Sequence, residues 1–198
     1  MARISPQPSS DWSQELKTFV EEFRASTAAK RTTPTARGGI RPAGANVIGT
    51  FARHPDLAKA FLVLNGHVLY GSTLSSRQRE LLILRVAALR KCDYEWAQHV
   101  VLAEDAGMTA DEISRIIEGP GAPGWAPADQ ILLEAVDELI DTAEVSADTW
   151  KVLAQDLDER QLMDLVFTVG TYELVAMAFR SFGLGPEPEL VPYLPTGW

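Results

Sequence analysis

The chain reads as an all-α protein of about eight helices. Three observations predict this. From residue 55 onward apolar residues recur at helical spacing. Ser or Thr followed three residues later by Gln or Glu marks several helix starts. No stretch alternates apolar and polar residues for more than a few positions, as a half-buried strand would.

Residues 1–45 form an N-terminal arm, rich in Pro, Ser, Thr, Ala and Gly. Its one amphipathic stretch, "DWSQELKTFVEEFRAS", predicts a short helix, and "TAAKRTTPTARGGIRPAG" reads as a loose linker. The helical domain occupies 46–198, with a core motif at 74–118. "HPDLAKAFLVLNGHVLY" opens a helix at Pro55, with His54 as its entry residue. "LSSRQRELLILRVAALRK" follows, and Ser75 and Gln78 have capping-box spacing. "CDYEWAQHVVLAEDAG" comes next, with Gly107 as its cap, and "MTADEISRIIEG" carries a second box at Thr109 and Glu112. "GPGAPGWAP" is the clearest loop. Helices at "ADQILLEAVDELIDTAE", "SADTWKVLAQDL" and "DERQLMDLVFTVGTYELVAMAFRSFGL" complete the chain. Sliding "LSSRQRELLILRVAAL" by 83 places onto "LDERQLMDLVFTVGTY" aligns five residues, a weak internal half-repeat.

With 198 residues, 46% of them hydrophobic, one domain can bury a substantial core. Eighteen basic against 27 acidic residues give a net charge of −9, and no basic stripe suits nucleic acid or an anionic membrane. The single cysteine makes no internal disulfide and suits a reducing compartment. No signal-peptide core and no membrane-spanning run stand out, so a cytoplasmic location is expected.

The candidate chemistry lies in "CDYEWAQH". Glu95 and His99 are four apart, so on a helix they share a face and can touch. Cys92 lies on the same stripe, near the helix start, where unpaired N–H groups favour a thiolate. Glu80, twelve residues upstream of Cys92, meets the stripe if the two helices fold back as a hairpin. A plainer alternative is a cysteine packed as a small hydrophobe beside a surface Glu–His pair worth a few tenths of a kcal/mol. The apolar flanks of "YEWAQHVVLA" argue against it, because a carboxylate and an imidazole are costly there unless used or well paired.

Glu80 with "RELLILRVAAL", then "CDYEWAQH", then "AGMTADEI" resembles the core motif of the carboxymuconolactone decarboxylase and alkylhydroperoxidase D-like superfamily. The resemblance implies an alkylhydroperoxidase D-like helical bundle with catalytic Glu80, Cys92, Glu95 and His99. In the peroxidase branch a second cysteine stands where this chain has Glu95. The decarboxylase branch has a glutamate and a histidine four apart, as Glu95 and His99 are here. The resemblance therefore implies decarboxylation or proton transfer on a small organic acid or lactone, without metal or organic cofactor.

Two chemistries stay open. In the acid–base reading Glu95 and His99 orient each other in an apolar pocket, and Cys92 only lines it. In the redox reading Cys92 is the thiol of a peroxidase resolved by an external thiol, with His99 and Glu80 relaying protons. Glu95 opposes that reading, since a neighbouring carboxylate raises a thiol's pKa. A metal site on His99, Glu95 and Glu80 lacks a second histidine nearby, and no metal is expected. A non-enzymatic helical interaction module would be favoured if Cys92, Glu95 and His99 proved exposed. His67, Tyr94 and Trp96 are candidate substrate-binding residues, and for the two aromatics a subunit contact is the favoured alternative. Arg85, inside "LLILRVAAL", must find a carboxylate or an interface.

The long apolar runs and the tryptophans predict a homo-oligomer; the resemblance favours a trimer or hexamer and leaves a dimer open. Light scattering is expected to return a multiple of the 21.7 kDa chain mass, and the monomer mass itself would refute the expectation.

Overall fold

The computed structural model describes residues 2–28 and 44–195. The linker predicted at 27–44 falls almost wholly outside them. Among the described residues there are nine α-helices and two short 3₁₀ turns, and no strand. The α-helices are α1 (Gln14–Ala28), α2 (Ala45–Phe51), α3 (Pro55–Tyr70), α4 (Ser76–Arg90) and α5 (Asp93–Asp105). They continue with α6 (Ala110–Glu118), α7 (Pro127–Thr142), α8 (Ala147–Asp156) and α9 (Glu159–Phe182). The helix too many for the expected eight is α2, whose seven residues show less than two turns of periodicity.

Local chemistry sets the helix starts. Ser75 with Gln78 and Thr109 with Glu112 form reciprocal capping boxes, as their spacing predicts. Asp158 with Gln161 forms a third, at the same 83-residue offset from the first as the half-repeat. His54 is the N-cap of α3, where the Leu57 N–H donates to its Nδ1 at 3.4 Å.

α4 is the centre of the bundle. All nine residues from Glu80 to Ala88 are buried, and the helix packs against α5, α6, α7 and α9. A helix apolar on every side can only be stable when covered on every side. Each fully buried leucine or isoleucine here contributes roughly 1.5–3 kcal/mol. The arginines of α4 tie these neighbours down. Arg85 makes a two-pronged bond to Asp137 of α7, at 2.7 and 2.8 Å. It also donates to the carbonyls of Ile116 and Ile117 at the end of α6, at 2.8 and 3.1 Å. Those carbonyls lie in the last turn of α6, where a helix leaves its carbonyls without intrahelical partners. Gly119 makes room for this: a Cβ there would lie 2.6 Å from the Arg85 guanidinium, and its φ of +94° suits glycine. Arg90 reaches Glu173 of α9 at 2.7 Å and the Ile140 carbonyl of α7 at 3.2 Å.

α9 corrects one sequence expectation. It is long and apolar enough to cross a membrane by length and composition alone. The cause is its place against α4: 56% of that apolar window is buried inside the protein, as in a core helix. Met163, Phe167, Leu174 and Met177 remain exposed on its outer face.

Because Arg85 serves three partners at once, Arg85→Met is expected to destabilise the fold by about 2–4 kcal/mol, leaving Asp137 and two carbonyls unpaired. The check is urea unfolding, read as a lower midpoint with an unchanged slope. A loss within about 0.5 kcal/mol would refute the role assigned to Arg85.

Candidate functional site

Lys91, at a φ of +50°, ends α4, and Cys92 is the N-cap of α5. The two helices thus fold back on each other and Glu80 meets His99. Glu80 Oε2 lies 2.7 Å from His99 Nδ1, and Arg79 donates to Oε1 at 2.9 Å. Glu80 has no exposed surface. Burial pushes its pKa up, but the His99 and Arg79 contacts outweigh this and hold it below the usual carboxylate value. Glu80 is therefore ionised. With Nδ1 committed, His99 keeps Nε2 without a partner among the described residues. Its ring meets Tyr172 of α9 edge-on, with centroids 4.8 Å apart.

The direct Glu95–His99 contact expected from their spacing is not formed, because His99 turns to Glu80. A buried anion must be matched by donors, whereas a buried carboxyl group can instead keep its proton. Glu95 does the second. It is 1% exposed and neither carboxyl oxygen has a hydrogen-bond partner of good geometry. Burial first, then the charge of Glu173, pushes its pKa well above the ordinary value, and the Cys92 thiol offsets this only in part. Its surroundings therefore favour the protonated, neutral form.

Cys92 is a second correction. The helix start does not make it a thiolate. Its side chain is fully buried and its pKa is pushed up to about 12, by burial first and by Glu95 next. Weaker help from the Glu95 backbone N–H and from Arg180 does not compensate.

Glu95 and His99 line a cavity of about 570 Å³, within the range of small-molecule sites. Arg79 and Tyr172 line it too, and α1 and α3 supply the opposite wall. Cys92 does not line it. Of the residues expected to bind substrate, Tyr94 does, while its hydroxyl donates to Glu187 at 2.9 Å. His67 does not: its Nε2 lies 2.8 Å from Asp164 of α9, which also accepts from the Thr73 N–H and Oγ1 at 2.6 and 2.7 Å. That group ties α3 to α9 away from the cavity. Trp96 is 3% exposed in the main core, neither in the cavity nor free for a subunit contact. Its place follows from helix phase, since it is one residue past Glu95 and points a quarter-turn or so away.

Sequence reasoning missed Arg79 and Tyr172. A basic residue beside Glu80 in a helix otherwise so apolar was a usable signal. For Tyr172, only the predicted packing of α9 on the motif could have served. Among the described residues, no cluster of three His, Cys, Asp or Glu side chains is arranged to hold a metal ion.

The proton on Glu95 has a consequence for stability. Unfolded, Glu95 ionises near 4.5; folded, it keeps its proton to a much higher pH. A raised folded pKa gives a contribution fully present below the unfolded value and lost as pH rises through the folded one. Glu95→Gln is not subject to that loss. It is expected to be more stable than the parent protein at neutral pH and no more stable below about pH 4.5, the gap growing by up to about 1.4 kcal/mol per pH unit. Urea unfolding across this range checks it, and a gap independent of pH would refute a neutral Glu95.

Residues 55–138, which hold Glu80, Cys92, Glu95 and His99, match the carboxymuconolactone decarboxylase family. No curated protein sequence matches the chain. Among solved structures, an uncharacterized peroxidase-related protein with an alkylhydroperoxidase AhpD core, from Ralstonia eutropha JMP134, is similar with a TM-score of 0.74 and 16% identity over 94% of each chain. A peroxidase-related protein from Silicibacter sp. TM1040 follows at 0.71 and 17%, over 91% of this chain and 88% of that one. The debrominase Bmp8 is similar at 0.72 and 15%, over 96% and 95%; a cysteine-to-alanine variant of it has been solved with 2,3,4-tribromopyrrole. At these identities the structures speak for the fold alone. The family match thus covers the motif segment, and the chain shares its helical bundle with alkylhydroperoxidase D-like structures.

Proposed function

We propose that the chain is an acid–base enzyme acting on a small organic acid or lactone, with His99 as proton acceptor and Glu95 as proton donor. The observation that carries this is the contrast between two buried carboxyl groups on adjacent helices: Glu80 ionised and bonded to His99, Glu95 neutral and unpartnered at the cavity. Carboxyl groups whose environments drive their pKa values apart commonly divide the acid and base roles. The two roles differ from the mutual orientation of Glu95 and His99 that spacing alone suggested.

Glu80 fixes the tautomer of His99 by taking the Nδ1 proton in a hydrogen bond, so that Nε2 offers its lone pair to the cavity. In a decarboxylation, the electrons of the bond to the departing CO₂ pass to the adjacent carbon. That carbon takes the proton of Glu95, and solvent restores it. In an isomerisation, His99 removes a proton from carbon while Glu95 protonates the oxygen or carbon that receives the electrons. Either course needs only these groups and the substrate. The family makes a decarboxylase or a peroxidase-related activity the coarse alternatives. A thiol-driven reaction suits this chain less, because Cys92 is buried, protonated and outside the cavity wall.

The test compares variants. Glu95→Gln and His99→Gln are each expected to lose about 10²–10⁴-fold in kcat, while Cys92→Ser keeps most of the parent turnover. The parent's rate should fall on the alkaline side as Glu95 gives up its proton. A thiol peroxidase would instead gain rate toward alkaline pH, form a stoichiometric sulfenic acid with dilute peroxide and be abolished by Cys92→Ser. Those three results would replace the acid–base reading with the redox one.

A further inference from the structure

The outer face of α9 does not have the residues of a solvated surface. Met163, Phe167, Leu174 and Met177 are each more than half exposed. With Gly170 and Ser181 they follow one another at intervals of four, three, four, three and four. That is a heptad seam carried through about five helical turns. Between Met163 and Ser181 every other residue of the helix is buried or half-buried, except Arg180. Gly170 lies in the middle of the seam. Glycine is an unfavourable residue inside a helix and needs a reason to be there. Gly66 of α3 has one within the chain, since a Cβ there would lie 2.6 Å from the Phe23 ring. Gly170 has none: a Cβ there would meet nothing within 4 Å. It is an open notch in an apolar ridge, with Phe167 projecting one turn away.

We propose that this face pairs with the same face of a second copy of the chain, the two α9 helices lying antiparallel about a two-fold axis between Phe167 and Gly170. Reversing one seam against the other sets Phe167 over the partner's Gly170 and Met163 against the partner's Leu174. Both notches are then filled by the same side chain, as a two-fold contact requires. A parallel pair would stack the two Phe167 rings and leave Gly170 facing Gly170, with neither notch filled. Charge makes the same choice. Exposed Asp156, Asp158 and Glu159, against Arg160 alone, leave the start of α9 acidic, while exposed Arg180 makes its end basic. Antiparallel pairing puts each acidic start beside a basic end and also opposes the two helix dipoles favourably. A membrane surface would cover an apolar face too, but such helices carry Lys and Arg beside it. Acids flank this one, on a chain of net charge −9. A two-fold contact closes with two copies, and larger closed assemblies built on it hold an even number. Of the dimer, trimer and hexamer expected above, it admits the first and the last. This pairing is independent of the chemistry in the cavity.

The test is sedimentation velocity on the full-length protein, with far-UV circular dichroism beside it. The parent is expected as a dimer or hexamer of the 21.7 kDa chain. Phe167→Glu, at a position outside the core, should halve the assembled mass and leave the helical signal unchanged. Gly170→Leu should also halve it, by filling the notch. Leucine favours a helix more than glycine does, so that loss of association cannot come from a weakened α9. Orientation is read by disulfide formation on a Cys92→Ser background. Met163→Cys and Leu174→Cys proteins, mixed and oxidised, should cross-link to each other and neither to itself. Two copies of Met163 would lie about 16 Å apart along the pair, beyond the reach of a disulfide. A monomer, a trimer, a mass unchanged by Phe167→Glu and Gly170→Leu, or self-cross-linking of Met163→Cys would overturn the proposal. So would binding of the parent to phosphatidylcholine vesicles that Phe167→Glu abolishes, which would assign this face to a membrane.

Discussion

The ionised carboxylate of Glu80, buried between Arg79 and His99, is the constraint from which the site follows. A fully buried anion is tolerated only where donors surround it, and both of its oxygens are occupied here. This fixes the approach of α5 to α4, since His99 must come within 2.7 Å. It also fixes which histidine nitrogen faces the cavity. A single contact thus sets the register of two helices and the orientation of the His99 ring. The surrounding arginine contacts on α4 extend the same logic outward: Arg85 secures α6 and α7, and Arg90 secures α7 and α9.

Much of the fold was legible because it is written in local chemistry. Capping boxes at Ser75 and Thr109, the Pro55 entry and the glycine-rich loop at 119–127 act within a few residues, so spacing reveals them directly. α2 escaped because seven residues carry too little periodicity. The site was legible in membership, with Glu80, Glu95 and His99 gathered at one place, but not in pairing. Spacing says that Glu95 and His99 share a face. It cannot say that His99 has a better partner on α4, which is a matter of which acid can least afford to lose a donor. Cys92 fails for a related reason. The helix N-terminus and Arg180 do lower the thiol's pKa, but burial and the Glu95 carboxyl outweigh them. His67 and Trp96 depended on the phase of their helices against α9 and the core, which no single-helix pattern encodes.

The N-terminal arm shows the same division between what is local and what is not. Its amphipathic stretch forms α1 as its pattern predicts, but nothing in that pattern says which part of the bundle its apolar face covers. The structure answers through Gly66, whose missing side chain admits Phe23 and so sets α1 over the cavity. The family-matched segment carries Glu80, Glu95 and His99, and a helix outside it closes the cavity above them.

Glu95 carries the remaining tension in the molecule. A buried carboxyl group with two unpartnered oxygens is a stability defect at neutral pH, because the unfolded chain would let it ionise. Glutamine would fill the same space without that penalty, and the bundle has no packing need for an acid here. A residue that costs stability and returns none in packing or hydrogen bonding must be explained by what it does. At the wall of a cavity, beside a histidine already oriented by another carboxylate, a retained proton is what acid catalysis requires. Glu80 makes the opposite use of the same side chain one helix away: it is kept charged by its two donors and so holds the His99 ring in position. The difference between them lies in partners rather than in burial, since both are removed from water.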